Sequence, residues 1–237
     1  MNMTIVSITA RALFGRRRFL MLLPLPVLVV AIAIIANGLG AAPQDWSEPV
    51  ILALGIGIML PVVALIVGTG VLGSEIDDGT LVHILAKPLP RSQILLSKYA
   101  VAAGVTSITT GVPLFITGLI AGSASFAVGL LVGAILGSFV YSALFLLLSL
   151  LTRLPVIVGL IYIVVWESLL TNLLAGTRVL SVQQYVLTVA DRVAPTDLLI
   201  SNVGLPAALG MTFVIVVGAT LLAVDRLRSF SVVGETS

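Results

Sequence analysis

Residues Pro49–Gly73 read PVILALGIGIMLPVVALIVGTGVLG and contain no charged side chain. A helix of about 20 apolar residues crosses the hydrocarbon core of a bilayer, so this run predicts a membrane-spanning helix. The stretch that follows, Glu75–Lys98, holds six of the 22 charged residues of the chain. An apolar run that ends in concentrated charge predicts a span followed by a loop in water.

The whole chain has the composition of an integral membrane protein. Its 237 residues are 59% hydrophobic and 9% charged, whereas soluble domains have about 25% charged residues. The sequence contains no cysteine, which excludes disulfides and thiolate metal sites within it. The net charge of +2 requires no nucleic-acid-binding patch, so we expect no nucleic-acid partner.

Charge-free intervals predict an all-α membrane domain over residues 1–237. The interval from 99 to 152 is too long for one crossing, and Gly122–Ser125 is its natural break. Six predicted spans result, at about 19–39, 49–73, 99–121, 126–151, 155–175 and 205–224. The remaining parts are an N-terminal segment 1–18, a loop 74–98 and a segment 176–204.

The distribution of basic residues predicts the orientation of these spans. Cytoplasmic loops of membrane proteins carry an excess of Lys and Arg. If both termini are cytoplasmic, the six spans place the loop 74–98 inside and the segment 176–204 outside. The cytoplasmic side then holds Arg11, Arg16, Arg17, Arg18, Lys87, Arg91, Lys98, Arg153, Arg226 and Arg228, and the external side holds Arg178 and Arg192.

The N-terminal segment 1–18 predicts an amphipathic helix on the inner membrane face. Its apolar side chains would lie in lipid, while Arg16, Arg17 and Arg18 would meet anionic headgroups. These three arginines are therefore predicted membrane-surface residues.

Two further patterns predict helix packing. Gly129, Gly133 and Gly137 recur every four residues on the fourth span. Small residues at this spacing let helix backbones approach closely, either within the chain, which we favour, or at a seam between two chains. In the external segment, apolar residues at helical spacing from Val179 to Val193 predict an amphipathic helix, either a lid over an outward opening or a passive interfacial helix.

Glu167 is the one acidic residue inside a predicted span. Counting from Pro155 places it roughly 18 Å from the inner end of the fifth span. Acidic residues at this depth face a bundle interior or water. Glu167 is therefore either a pathway carboxylate linked to protons or a hydrogen-bonded brace, with Tyr162, Asn172 and Arg178 as candidate partners.

The sequence offers no catalytic machinery of its own. Gly68–Gly73 fits the G-x-G-x-x-G pattern, but it lies at the end of an apolar helix with no preceding strand. No phosphate-binding loop with Lys and Ser or Thr is present, and His83 is the single histidine. We therefore expect no catalytic residue, no metal site and no cofactor bound by this chain.

The charged loop itself has the pattern of a short helix that docks on a partner. Asp78 or Thr80 can cap the exposed N–H groups of a helix start. Leu81 and Leu85 then share an apolar stripe, and Pro88 ends it. An apolar stripe on an exposed helix suits the groove of another protein, although a solvated connector is the simpler alternative.

This loop resembles the signature of the type-2 permease family of ATP-binding-cassette exporters. The family places Glu, Gly-Thr, a Leu pair, Pro, Arg and Lys between its second and third spans. The matching positions here are Glu75, Gly79, Thr80, Leu85, Pro88, Arg91 and Lys98. The resemblance implies that a separate ATPase subunit, in two copies, binds the loop, and that ATP and Mg²⁺ bind to that subunit.

We therefore predict a permease subunit of an ATP-driven exporter in a bacterial plasma membrane, paired with an identical or different permease chain. The coupling residues would be Glu75, Asp78, Gly79, Thr80, Leu81, Leu85, Pro88 and Arg91. The alternatives are a proton-linked secondary transporter that uses Glu167 and a membrane scaffold without transport. The absence of a charge cluster in the spans slightly favours lipid-like or amphipathic cargo.

Overall fold

The computed structural model describes residues 9, 22–77, 90–173, 175–196, 199, 201 and 203–229. For residues 73–77, 172, 175, 228 and 229 it describes the backbone alone. Helices account for the regular structure of this part of the chain, and the described ranges contain no β-strand. The predicted all-α fold is therefore confirmed for these residues. The predicted interfacial helix of residues 1–18, with Arg16, Arg17 and Arg18, lies outside them.

Seven helices make up the described bundle. They are α1 (Pro24–Gly38), α2 (three consecutive segments, Pro43–Ser47, Glu48–Met59 and Leu60–Asp77), α3 (Arg91–Ala121), α4 (Ala124–Leu151), α5 (three consecutive segments, Pro155–Ile161, Tyr162–Leu170 and Thr171–Leu173), α6 (Val182–Val193) and α7 (Leu205–Ser229). A short 3₁₀ segment, Ala175–Leu180, leads from α5 to α6.

Four of these helices are long and apolar enough to cross a membrane. Their apolar lengths are Pro43–Leu72, Arg91–Ala121, Ala124–Leu151 and Leu205–Leu227. They contain the second, third, fourth and sixth predicted spans almost entirely. The helices at the first and fifth predicted spans, Pro24–Gly38 and Pro155–Leu170, are shorter apolar helices, so the count of six spans stays a prediction.

The charged loop was predicted over 74–98, and the structure shows helix at both of its edges, because α2 continues to Asp77 and α3 begins at Arg91. The helix that contains the third predicted span therefore extends eight residues beyond the predicted start of that span. The break at Gly122–Ser125 is confirmed, because α3 ends at Ala121 and Ser123 caps α4 by accepting a hydrogen bond from the Phe126 N–H.

Helix α4 is the central helix of the bundle. It packs against α2, α3, α5, α6 and α7, and its side chains Leu130, Ala134, Val140 and Tyr141 are fully buried. Helix α1 packs against α3 and the first half of α2. The outer faces of α1, α3, α5 and α7 remain apolar and exposed, as expected for surfaces in contact with lipid.

The two ends of the bundle are distinguished by the residues found there. The end that holds Asp77, Arg91 and Leu227 is called the loop end, because the charged loop connects two of its helices. The end that holds Gly122 is called the far end. Six buried side chains form a separate apolar cluster at the loop end, here named the loop-end cluster: Leu72, Leu95, Leu146, Leu150, Ala223 and Leu227.

Two helices contain long π-helical segments. Glu48–Met59 in α2 and Tyr162–Leu170 in α5 follow i→i+5 hydrogen bonding. Such segments are rare and occur often at functional sites. The two segments contact each other, and the second contains Glu167.

Candidate functional site

The structure describes two of the predicted coupling residues, Glu75 and Arg91, and both lie at the loop end. Glu75 has a helical backbone in the last turns of α2. Arg91 is the first residue of α3. Six predicted coupling positions lie outside the described residues: Asp78, Gly79, Thr80, Leu81, Leu85 and Pro88.

Arg91 binds the end of another helix within its own chain. Its Nη1 donates a hydrogen bond of 2.7 Å to the backbone oxygen of Leu227, in the last turn of α7. The last four carbonyl groups of a helix have no intrahelical N–H partner. A positive charge at this place also complements the helix dipole. Arg91 therefore caps α7 and connects it to the start of α3.

Lys98 connects α3 to α2 in the same region. Its side chain is 1% exposed, and Nζ donates a hydrogen bond of 3.0 Å to the backbone oxygen of Val71. Lysine is almost never fully buried unless it is paired. The sequence resemblance included Lys98, but only the structure shows that its ammonium contacts the backbone of α2.

The loop-end cluster fills the space between these two contacts. Leu72 comes from α2, Leu95 from α3, Leu146 and Leu150 from α4, and Leu227 from α7. Tyr99 packs against the cluster, and its hydroxyl donates a hydrogen bond of 3.0 Å to the Phe139 backbone oxygen of α4. The two helices that flank the charged loop are thus packed against α4 and α7 directly at the ends of the loop.

A second candidate site surrounds Glu167 of α5. Its side chain is 1% exposed. Three donors reach the carboxylate: the Tyr162 hydroxyl at 3.0 Å, the Ser181 hydroxyl at 2.6 Å and the Val182 N–H at 3.0 Å. The first and third donate to Oε1, and the second donates to Oε2. All three partners belong to this chain.

The π-helical segment explains why Tyr162 reaches Glu167. In an α-helix, residues five apart lie about 140° apart around the axis. The i→i+5 bonding of the segment Tyr162–Leu170 brings such residues closer to one side. The candidate partner Tyr162 is therefore a contact of Glu167. Arg178 instead donates from Nε to the Thr171 backbone oxygen at 3.3 Å.

Glu167 also stabilises the start of α6. Ser181 is the N-cap of this helix, and its hydroxyl oxygen accepts a hydrogen bond from the Gln184 N–H. Val182 is the first residue of α6, so its N–H has no intrahelical acceptor. A carboxylate at a helix N-terminus also complements the helix dipole. Sequence reasoning missed Ser181, although Ser181 followed by Gln184 has the spacing of a capping box.

Aromatic rings support the Glu167 site from α4. The rings of Tyr141 and Phe145 stack with centroids 5.8 Å apart, and Phe145 meets Tyr162 edge-on at 6.2 Å. On α6, burial and the neighbouring Glu167 carboxylate raise the pKa of Tyr185 to about 12. The site thus joins α4, α5 and α6 through buried polar and aromatic contacts.

The glycine face of α4 receives α6. A Cβ atom on Gly129 would lie 2.8 Å from the Ala190 backbone oxygen, and one on Gly133 would lie 2.8 Å from the Val186 backbone oxygen. Both distances are too short for a side chain, so glycine permits this contact. The prediction of close packing within the chain is confirmed. The predicted amphipathic helix is confirmed as α6, which buries Val182, Tyr185, Val186 and Val189.

The described side chains suggest no metal centre. Groups of three or more His, Asp or Glu residues that could hold a metal ion do not occur among the residues that the structure describes. The polar groups described above instead contact one another or the backbone, and they connect α2, α3 and α7 at one site and α5 and α6 at the other.

Helices with the length and composition of membrane spans, packed around a central helix, define a multi-pass membrane protein. The family model for the ABC-2 family transporter proteins matches residues 16–183, more than two thirds of the chain. The chain therefore belongs to the ABC-2 transporter family. No curated protein is a significant match. The matched residues include the charged loop, Glu167 and the start of α6.

Proposed function

We propose that this chain is the permease subunit of an ATP-driven exporter in a bacterial plasma membrane, with both termini in the cytoplasm. Two permease chains, identical or different, would form the conduit. A separate ATPase subunit in two copies would bind ATP and Mg²⁺. This chain would contribute no catalytic residue and no cofactor site.

The observation that carries this proposal is the family match over residues 16–183. It spans the N-terminal arginines, the charged loop and five of the six predicted spans. The sequence has no phosphate-binding loop of its own, so ATP could drive transport through this chain only by means of another subunit.

The loop is the proposed point of contact with the ATPase. Leu81 and Leu85 would enter a groove of that subunit. Glu75 would fix the position of the chain where it enters the loop. Movement of the loop would act on α2 and α3, whose ends pack together in the loop-end cluster. This arrangement supports coupling, because a packed apolar cluster transmits displacement with little compression.

Proton-linked transport through Glu167 is the alternative. The geometry of Glu167 favours a brace, since three donors of the chain occupy its two oxygens and 1% of the residue is exposed. Such a carboxylate presents little surface through which protons could exchange. A scaffold without transport is the third alternative, and the family match favours a transporter over it.

The test is purification of the tagged chain from its native membranes. The wild type should bring an ATPase subunit with it, and the preparation should hydrolyse ATP. Replacing Leu81 and Leu85 together with Asp should reduce ATPase recovery at least tenfold while membrane insertion stays normal. Glu75→Ala should weaken binding or uncouple hydrolysis from transport.

Matched controls separate apolar docking from general damage. Replacing Leu81 and Leu85 with Ile keeps the stripe apolar and should leave ATPase recovery near the wild-type level. Glu75→Gln keeps the shape of the side chain and isolates the effect of its charge. Wild-type ATPase recovery and hydrolysis in the double Asp variant would contradict the proposed role of the loop.

A further inference from the structure

Helix α7 packs against its neighbours mainly through small or partly buried side chains. Its described side chains with almost no exposure are Ala208, Ala219, Ala223 and Leu227. Alanine buries little area, so three of these four positions contribute little packing. The opposite face is open, and Leu221 on that face is 64% exposed. Among the described residues of α7, Leu227 is therefore the one large side chain that is fully buried.

Two contacts of α7 with its neighbours coincide at Leu227, at the loop end. The Leu227 side chain is fully buried in the loop-end cluster, and its backbone oxygen accepts the 2.7 Å hydrogen bond from Arg91. The two residues are 136 positions apart in the chain. Arg91 is also the first helical residue after the charged loop, so a displacement of the loop reaches it first.

We propose that Arg91 is a positioning residue that makes the loop end of α7 follow α3 when the ATPase moves the charged loop. Lys98 provides the equivalent contact from α3 to Val71 of α2. Helix α3 is thus hydrogen-bonded to both α2 and α7, and a displacement of α3 would be passed on to both helices. This inference rests on the proposed function and assigns Arg91 a role inside the chain rather than on the ATPase surface.

Single fluorescent labels can follow the two helices separately. The sequence has no cysteine, so one introduced cysteine takes one label. Ile108 on α3 is 68% exposed and Leu221 on α7 is 64% exposed, and each can carry a bimane label without disturbing the core. The measured quantity is the change in bimane fluorescence when ATP and vanadate are added to the complex of the permease and its ATPase.

In the wild type, we expect both labels to respond to ATP and vanadate. In Arg91→Met, which keeps an apolar stem but has no donor, the label on α3 should keep its response. The label on α7 should lose at least two thirds of its response. Arg91→Lys keeps a charged donor and should give an intermediate response. Arg153→Gln, which changes an exposed arginine at the loop end, should behave as the wild type.

Other outcomes would overturn the inference in distinguishable ways. An α7 response at the wild-type level in Arg91→Met would show that α7 follows without this bond. Equal loss at both labels would show a general structural defect instead of a positioning role. If the label on α3 responds in the wild type and the label on α7 does not, only this inference is refuted. If neither label responds, the proposed function is refuted as well. If Arg91→Met does not assemble, the same comparison is made with Arg91→Lys.

Discussion

Glu167 gives the sharpest prediction, because the brace and the proton carrier require different results from the same variants. Glu167→Gln keeps one oxygen, which can still accept from Tyr162 and from the Val182 N–H. The amide nitrogen then faces Ser181, whose hydroxyl oxygen can accept. Tyr162 and Val182 keep their acceptor, whereas the Ser181 hydroxyl hydrogen must turn to another one. With the lost strength of charge-assisted bonds, the cost is about 1–2 kcal/mol.

Glu167→Leu removes all three acceptor contacts at once. Each buried donor left without a partner costs about 1–3 kcal/mol. Because the Ser181 hydroxyl can rotate toward another acceptor, two donors stay unpaired, and we expect a total loss of roughly 2–6 kcal/mol in the free energy of unfolding. The loss should appear first as detachment of α6, since Ser181 and Val182 begin that helix.

The assay is the unfolding equilibrium of the purified protein in mixed micelles with increasing denaturing detergent. Glu48 is exposed near the far end, so Glu48→Gln and Glu48→Leu are matched controls and should stay close to the wild type. A Glu167→Leu variant within 1 kcal/mol of the wild type would refute the brace, because a loss of three buried contacts cannot be that small.

Transport separates the two mechanisms independently of stability. We expect membrane vesicles with ATP to export an amphipathic fluorescent dye when the proton gradient is collapsed, and Glu167→Gln to remain near the wild-type rate. A proton carrier would instead stop when the gradient is collapsed and in Glu167→Gln, since an amide cannot carry the proton. That result would favour the secondary transporter.

The remaining predictions concern topology, packing and pH. A cysteine at Ala42 should react with a membrane-impermeant reagent in intact cells, and one at Ser92 should react only after permeabilisation; external labelling of Ser92 would reverse the orientation. Gly133→Ala should destabilise the protein by about 1–3 kcal/mol, because the new Cβ meets a backbone carbonyl of α6. The control is Gly104→Ala, whose new Cβ meets open space. In the same unfolding assay this control should be neutral or stabilising by about 0.5–1 kcal/mol. The folded-state pKa of Tyr185 lies above its ordinary value. The contribution of Tyr185 to stability should therefore be complete below about pH 10 and should be lost as the pH rises towards 12. If Tyr185→Phe leaves the slope of the unfolding free energy against pH unchanged over this range, the prediction is wrong.

Much of the fold could be predicted from the sequence because its signals are local. Apolar length predicts the spans, the Gly122–Ser125 segment predicts the break between α3 and α4, and apolar spacing predicts α6. The glycine spacing on α4 predicts a close helix contact. Each of these depends on neighbouring residues along one segment, which the sequence contains in full.

The partners of buried polar groups were decided by the tertiary structure. Charge placed the predicted start of the third span after Lys98, whereas the helix itself begins at Arg91, and the buried Lys98 ammonium donates to the Val71 carbonyl of α2. Glu167 finds Ser181 and Val182 because α5 and α6 pack together, and it finds Tyr162 because the segment between them is π-helical. Hydrophobic pattern determines which segments become helices in a membrane, whereas the contacts between segments distant in the chain determine where each buried charge is satisfied.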